Sequence, residues 1–525
     1  MSGVPWLTLV IVIPAGGAIL LQLLPRTATG AIKGVTVFTT AAVGVIVGQL
    51  IAAMPHTAAV GSSPPVTFFY TELRDWIPGI GASYSLGLDG LSAWLLALNA
   101  GVFLLGALAV SRMRTERLRF YCGLLLLTET ASSGVLLATD LLLFYLFWEG
   151  MLIPLYFLLS NYGDANRGRA TLKFVIYTVA GSLLMLASII WLAINHAQSD
   201  PNHALSFSLE TLITSPGPAQ SVMVVPGIHL STFTPQQLVF IGFALAFAIK
   251  IPIVPFHTWL PGSYESAPPA ILVFFAGIIS KLGAYGFIRF GLTLFPGPMS
   301  YFKWVLAALA VASIIYGALM ALSQRDIKRI VAYASISHLG FIALGIFTLT
   351  ANGINGAIIQ MVNHGIIIAA LFLIAGIIEQ RTGTRDLREI GGMEMRAPWL
   401  YTAFLIVTLA SLGMPGMNSF VGEFTIMLGA FQLHWIFAVL AGVGVVLACW
   451  YMLRFHQGVM HGRTLELVSR VRDLRLSEAL LLAPLLALMI FLGVFPRPVG
   501  DVTSPSVAQY TAIVANPSST TVAPP

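Results

Sequence analysis

Residues 237–262 read QLVFIGFALAFAIKIPIVPFHTWLPG, and this stretch decides the fold. It is apolar enough to lie in a bilayer, yet Lys250 stands in its middle, with Pro252 and Pro255 close behind. A lysine at bilayer depth costs roughly 3 kcal/mol or more, so such residues face a polar interior and serve a function. Proline lacks an amide hydrogen and clashes with the preceding turn, so the helix breaks near Pro252. The break frees backbone carbonyls beside the ammonium group. A charge beside a broken transmembrane helix is how ion pathways are built. Apolar residues flank Lys250 by two turns or more, which argues against simple snorkelling to the headgroups.

Working outward, the whole chain is of the same kind. It has 525 residues, 57% hydrophobic and 9% charged. A soluble protein carries about 25% charged residues. The apolar runs are about 20 residues long, as helical spans require, and lack the alternation of barrel strands. The expected fold is therefore an all-α polytopic membrane protein. The net charge of +6 sits in short loops and does not suggest nucleic-acid binding. The two cysteines, Cys122 and Cys449, have neither metal nor disulfide spacing. A dinucleotide glycine fingerprint, a phosphate loop and an iron–sulfur cysteine run are all missing. No redox cofactor is expected in this chain. The N-terminal apolar run lacks a basic leader and a cleavage site, so it reads as a retained span.

About fourteen spans are expected, near 4–24, 31–53, 86–110, 118–138, 141–161, 171–194, 236–261, 268–292, 302–322, 329–349, 355–379, 398–429, 433–455 and 477–496. Two long loops, Pro55 to Ser85 and Asn195 to Pro235, carry the proline, glycine and hydroxyl residues of turns. With this count the basic residues fall on one side. They are Arg26 and Lys33; Arg112, Arg114, Arg117 and Arg119; Arg167, Arg169 and Lys173; Arg325, Lys328 and Arg329; Arg381, Arg385, Arg388 and Arg396; Arg454, Arg463, Arg470, Arg472 and Arg475. The other side holds Arg74, Lys303, Arg497 and Arg289. The positive-inside rule then puts both termini on the outer side.

The twelfth span echoes the seventh. It centres on Ser411-Leu-Gly-Met-Pro-Gly416, another glycine–proline break, with Glu423 following. The two broken spans are five helices apart. Five is odd, so a repeated five-helix unit must enter the membrane from opposite sides, an inverted repeat of spans 4–8 against 9–13. The expected organisation is 1–117 for three N-terminal spans, 118–292 and 302–455 for the repeats, and 456–525 for a cytoplasmic loop, span 14 and a short tail.

Other ionisable residues lie deep in the spans: Glu129, Glu149, Lys281, His338, His364 and Glu423. A lone membrane histidine is usually a helix-packing residue, and a lone glutamate near a span end is often a cap. The set is more telling than its members. Carboxylate, amine and imidazole groups spread along the bilayer midplane make a proton relay. Glu129 is left open between packing and function. No nucleophile–base pair competes with the relay.

At these residues a family becomes recognisable. The runs AIKIPIVPFHTWLPG, SKLGAYGF, RDIKRIVAYASISHLG and MPGMNSFVGEF resemble the antiporter-like proton-pumping subunits of respiratory complex I, shared with multisubunit sodium/proton antiporters. The resemblance runs from about residue 85 to 455. A glutamate rather than a lysine in the twelfth span marks one branch of the complex I subunits, and Glu423 matches it. The resemblance implies Glu149 and Lys250 as paired acid and base of a first half-channel. It implies Lys281 as the central lysine, His338 and His364 as the connection, and Glu423 as the end of a second half-channel. It also implies neighbouring antiporter-like subunits and lipid as partners, FMN and iron–sulfur clusters in other subunits, and a bacterial plasma membrane location. The family's tract often reads WLPDAH; here it is Trp259-Leu-Pro-Gly262-Ser-Tyr264, without that acid and histidine. The implied mechanism is redox-driven proton translocation, with a Glu149–Lys250 ion pair that opens and closes. The competing class is a sodium/proton antiporter subunit without redox coupling.

Overall fold

The computed structural model describes residues 4–54, 66–111, 117–216, 233–469 and 471–515. Arg112, Arg114 and Arg470 lie outside the described residues, as do parts of both long loops. Among the described residues, twelve helices are long and apolar enough to cross a membrane. They are α1 Trp6–Leu23, α2 Thr29–Ala52, α3 Gly90–Val110, α4 Leu118–Leu137, α5 Leu141–Tyr162 and α6 Arg167–Ala197 in the N-terminal part. Then come α8 Pro269–Leu294, α9 Pro296–Ser323, α10 Ile327–Phe347, α11 Ala351–Thr382, α13 Trp435–Met460 and α14 Leu476–Val494. Two further spans are each made of two pieces. α7a Pro235–Lys250 is followed by a turn and α7b Leu260–Ser266; α12a Pro398–Ser411 is followed by a turn and α12b Asn418–Leu433. The twelve lie close to twelve of the about fourteen expected spans, and the two interrupted helices lie where the other two were expected.

The helix starts follow local chemistry. Thr234 caps α7a in a reciprocal box with Gln237, and Pro235 supplies a first residue whose missing amide hydrogen costs nothing. Asp89, Asp140 and Asp326 cap α3, α5 and α10 through their carboxylates. α11 ends at Gly383, whose φ of 74° is the left-handed stop that glycine takes cheaply.

Packing sorts the helices by their surfaces. α8 and α10 are buried all round, and α11 nearly so. These three apolar rods form the centre, since a helix with no polar face must be covered by others. α1, α2, α6, α13 and α14 keep most of their surface open, as lipid-facing helices do. Small residues allow close approach. A Cβ on Gly340 of α10 would sit 2.8 Å from the Ile314 amide of α9, and one on Gly317 of α9 would sit 2.6 Å from the Ser337 amide.

Three elements depart from the expectations. The first long loop contains a hairpin, β1 Tyr70–Ile77 and β2 Ala82–Leu88, turning at Gly81 with φ of 71°. Its strand β2 takes the first residues assigned to span three, because Asp89 caps α3 only from Gly90. The second long loop holds a six-residue helix, Leu209–Thr214. The expected short tail is a helix, α15 Arg497–Ala515, packed on α3 and α11.

Two basic residues counted with the flanking charges, Arg289 at the end of its span and Lys328 in a loop, are buried. Arg289 is inside α8 and fully buried, forming a two-point ion pair with Asp89, from Nη2 to Oδ1 at 2.6 Å and from Nη1 to Oδ2 at 2.8 Å. Tyr510 of α15 donates to the same carboxylate at 2.7 Å. Lys328 is buried in the first turn of α10, where Glu379 of α11 takes its ammonium at 2.9 Å. Each charge is tolerated inside because a carboxylate meets it.

A buried line of titratable groups

Lys250 is the last residue of α7a, and its ammonium group lies 4.9 Å from the centre of the Trp148 ring on α5. The end of α7a thus carries a cation where the helix dipole is negative. The break behind it is closed by side chains. Trp259 donates its indole N–H to the Ile249 carbonyl at 2.9 Å, and the Val254 amide donates to Ser313 of α9 at 2.9 Å. The freed carbonyl beside Lys250 is therefore already used.

The expected Glu149–Lys250 ion pair is not formed within 4.0 Å. Glu149 follows Trp148 on α5, so it points about 100° around the helix from the ring that holds the lysine. It is half-buried, between the exposed Leu146 and Ile153. Trp148 was missed in the sequence; an aromatic beside the acid was the available sign.

Lys281 lies fully buried in α8, between two wide turns, Phe275–Ile279 and Phe287–Gly291. Such π-turns expose carbonyls that the regular ladder would occupy. Lys281 uses one, donating to the Ala276 carbonyl at 2.6 Å. Gly283, two residues on, brings α8 against the end of α7a: a Cβ there would lie 2.6 Å from the Phe247 carbonyl. On the other side, a Cβ on Gly365 of α11 would lie 2.8 Å from the Gly277 carbonyl. Lys250, Lys281 and His364 thus hang on contacts between α7a, α8 and α11.

His364 is buried, and neither ring nitrogen has a hydrogen-bond partner among the described residues. Its ring centre is 5.6 Å from that of His338 on α10. His338 is held at both nitrogens. Nδ1 is 2.8 Å from Glu423 Oε1, and Nε2 is 3.1 Å from the Tyr451 hydroxyl of α13. The same carboxylate oxygen accepts from Gln360 at 3.1 Å and from Ser419 at 3.1 Å. Gln360, Ser419 and Tyr451 were missed because amides and hydroxyls are common in helix contacts and carry no sequence mark.

Glu423 sits in the second turn of α12b, but its carboxylate folds back toward the break. A Cβ on Gly413 would be 3.0 Å from Oε2, and Gly413 has φ of 75°. The second half is a closed hydrogen-bonded cluster, whereas the first half has a lysine on an aromatic face and a separate acid.

A polytopic helical protein with two broken spans and a buried lysine–lysine–histidine–histidine–glutamate line is of the antiporter-like class of membrane subunits. Residues 138–448 match the family model described as "NADH:quinone oxidoreductase/Mrp antiporter, TM", and the chain belongs to that family. It is 35% identical to the NADH-quinone oxidoreductase subunit M of Mycobacterium tuberculosis strain H37Rv, over 97% of this chain and 94% of that protein. Among solved structures it is similar to a chain in "Respiratory complex I from Thermus thermophilus with bound NADH", at 31% identity and a TM-score of 0.82, covering 97% of this chain and 99% of that one. It shares its fold with a chain of the Mrp complex from Dietzia sp. DQ12-45-1b, at 22% identity and a TM-score of 0.77, covering 98% of this chain and 97% of that one. The family expectation, including its subunit M branch, is borne out.

Proposed function

We propose that this chain is the proton-carrying M subunit of an NADH:quinone oxidoreductase membrane arm. The observation that carries the reading is the buried line from Lys250 through Lys281, His364 and His338 to Glu423. A scaffold would not keep five ionisable groups inside the membrane. The full-length similarity to subunit M favours redox coupling over the sodium/proton antiporter reading.

The cluster at the end of the line suits proton hand-over. With His338 neutral, Nδ1–H donates to Glu423 and Nε2 accepts from Tyr451. A proton arriving from the His364 side can be taken at Nε2, since the Tyr451 hydroxyl can turn from donor to acceptor. His338 then passes its Nδ1 proton to Glu423 Oε1, and the acid faces outward through the Gly413 break. At the start, Lys250 rests on a neutral ring and Glu149 is near but unpaired. A shift of Glu149 toward the ammonium group would add about 3 kcal/mol at roughly 6 Å and an effective dielectric of about 20. That is comparable with the roughly 3.5 kcal/mol needed to move one charge against about 150 mV.

The paired breaks of α7 and α12 support the inverted repeat of spans 4–8 and 9–13, with 118–292 and 302–455 as its halves. The loop charges support cytoplasmic placement of Arg385 and Arg388 and an outer position for both termini of a bacterial plasma-membrane protein. FMN, iron–sulfur clusters and quinone belong to partner subunits on this reading. The test is purification of the tagged chain from its membrane. Flavin and iron–sulfur absorbance should accompany it, and inverted vesicles should take up protons during NADH oxidation. Isolation in a complex without flavin, with sodium exchange intact, would overturn the reading in favour of the antiporter.

A further inference from the structure

One buried acid outside the line has no hydrogen-bond partner among the described residues. It is Glu129 on α4, fully buried at both carboxyl oxygens. None of the described ion pairs includes it. Ionised there, it would pay a desolvation cost of several kcal/mol with nothing to offset it. A neutral acid carries one proton and avoids most of that cost.

Its position follows from two independent fixes. On the same face of α4, Ser132 donates to Asn99 of α3 at 2.8 Å, and Asn99 donates to Ser133 at 3.0 Å. Consecutive spans run in opposite directions. One turn inward from the serines on α4 is Glu129, and one turn inward from Asn99 on α3 is Val102. Val102 packs against Gly277, where a Cβ would be 3.0 Å from it. Gly277 is next to Ala276, whose carbonyl holds the Lys281 ammonium group. The second fix is Tyr285 of α8, which donates to the Leu136 carbonyl at the outer end of α4 at 3.0 Å. α4 and α8 are four spans apart and so run the same way. Seven residues back on α4, about 10 Å, lies Glu129. The same distance back on α8 reaches the π-turn Phe275–Ile279, the level to which Lys281 reaches. Glu129 and the Lys281 ammonium group therefore share one depth, on either side of the α3–α8 contact.

We infer that Glu129 is a proton-storing residue of the translocation line: a neutral carboxylic acid at rest that exchanges its proton with Lys281 during turnover. The inference rests on the relay reading above. When Lys281 has given its proton toward His364, its free amine accepts one from the Glu129 acid, directly or through water. This leaves a carboxylate opposite an ammonium group, a charge pair across α3. The next proton from Lys250 restores the acid. The π-turn provides the freedom, because Lys281 can leave the Ala276 carbonyl without breaking a regular helix ladder. His364, Lys250 and Lys281 are the line groups that bear on the exchange. α3 presents Asn99 to α4 and Val102 to α8 here, neither of them ionisable.

The experiment is infrared difference spectroscopy of the intact complex in membranes, resting against turning over with NADH. Wild type should show one carboxylic-acid C=O band that is lost in Glu129→Gln and shifts but persists in Glu129→Asp. That band should change on turnover, and the change should vanish in Lys281→Ala. Glu129→Gln should assemble with full subunit content yet lower the proton-to-electron ratio, with Glu129→Asp restoring it. A packing role predicts that Gln, of the same shape, behaves as wild type. A Glu129→Gln complex with unchanged spectrum and unchanged ratio overturns the inference. If Lys281→Ala and Glu423→Gln also pump normally, the relay reading itself fails; if they do not, only the role of Glu129 does.

Discussion

At the scale of the residue, the decisive group is Glu423. Three neighbours converge on its Oε1 atom while Oε2 faces the break. Glu423→Gln keeps the shape and removes the proton-carrying oxygen. Proton uptake into inverted vesicles should be abolished with the fold retained, and Glu423→Asp should keep partial activity; wild-type pumping by Glu423→Gln would make the residue a packing acid. Lys250→Ala and Glu149→Ala should each reduce NADH–quinone turnover together with pumping, because a blocked pump stalls coupled electron flow. Normal pumping in Glu149→Ala membranes would rule out any moving ion pair, the more pointedly because the two groups are apart at rest. The candidate residues themselves were legible, since a charge in an apolar run stands out. Their partners were not. Trp148 is one aromatic among many, and Tyr451 becomes a ligand of His338 only when α13 is folded against α10.

At the scale of the element, the break in α12 is set by Gly413 and Gly416, both with positive φ. Gly413→Ala forces a side chain into the left-handed region, at about 1–2 kcal/mol, and toward the Glu423 carboxylate. It should lower thermal stability modestly and pumping more than stability. Equal losses in both would show that the break is only structural. The broken spans were readable because proline and glycine interrupt apolar runs. The hairpin Tyr70–Leu88 was not, because hydropathy alone ranks its alternating polar strand as loop. Nor was α15, whose burial depends on the Tyr510 hydroxyl finding Asp89. Lys328 and Arg289 show the same limit. A basic residue near a span end reads as a loop charge until its carboxylate is found across the bundle.

At the scale of the molecule, sidedness is testable by labelling single cysteines. Arg385 and Arg388 should map inside and the hairpin Tyr70–Leu88 outside; the reverse would overturn the assignment from loop charges. The buried pair Asp89–Arg289 ties α3, α8 and α15 at one end. Removing one partner of such a pair costs about 3–5 kcal/mol, because the other charge remains inside. Asp89→Asn should therefore reduce assembled complex sharply, and Asp89→Asn with Arg289→Met should recover much of it. Failure of the double variant to recover would mean that the pair is needed for more than neutrality.

The same pair governs how the chain is made. Asp89 precedes Arg289 by 200 residues and Tyr510 by 421. A nascent chain emerging from the ribosome presents the acid long before the cation exists. Until that cation follows, the carboxylate is better left in water than buried alone. The first spans can pack on α4, but the joint at Asp89 gains its cation only with α8 and its hydroxyl donor only with α15. The Asp89 joint thus closes late: a chain cut short before Arg289 would keep the packing of α1, α2 and α3 on one another and on α4, yet leave the acid without its cation.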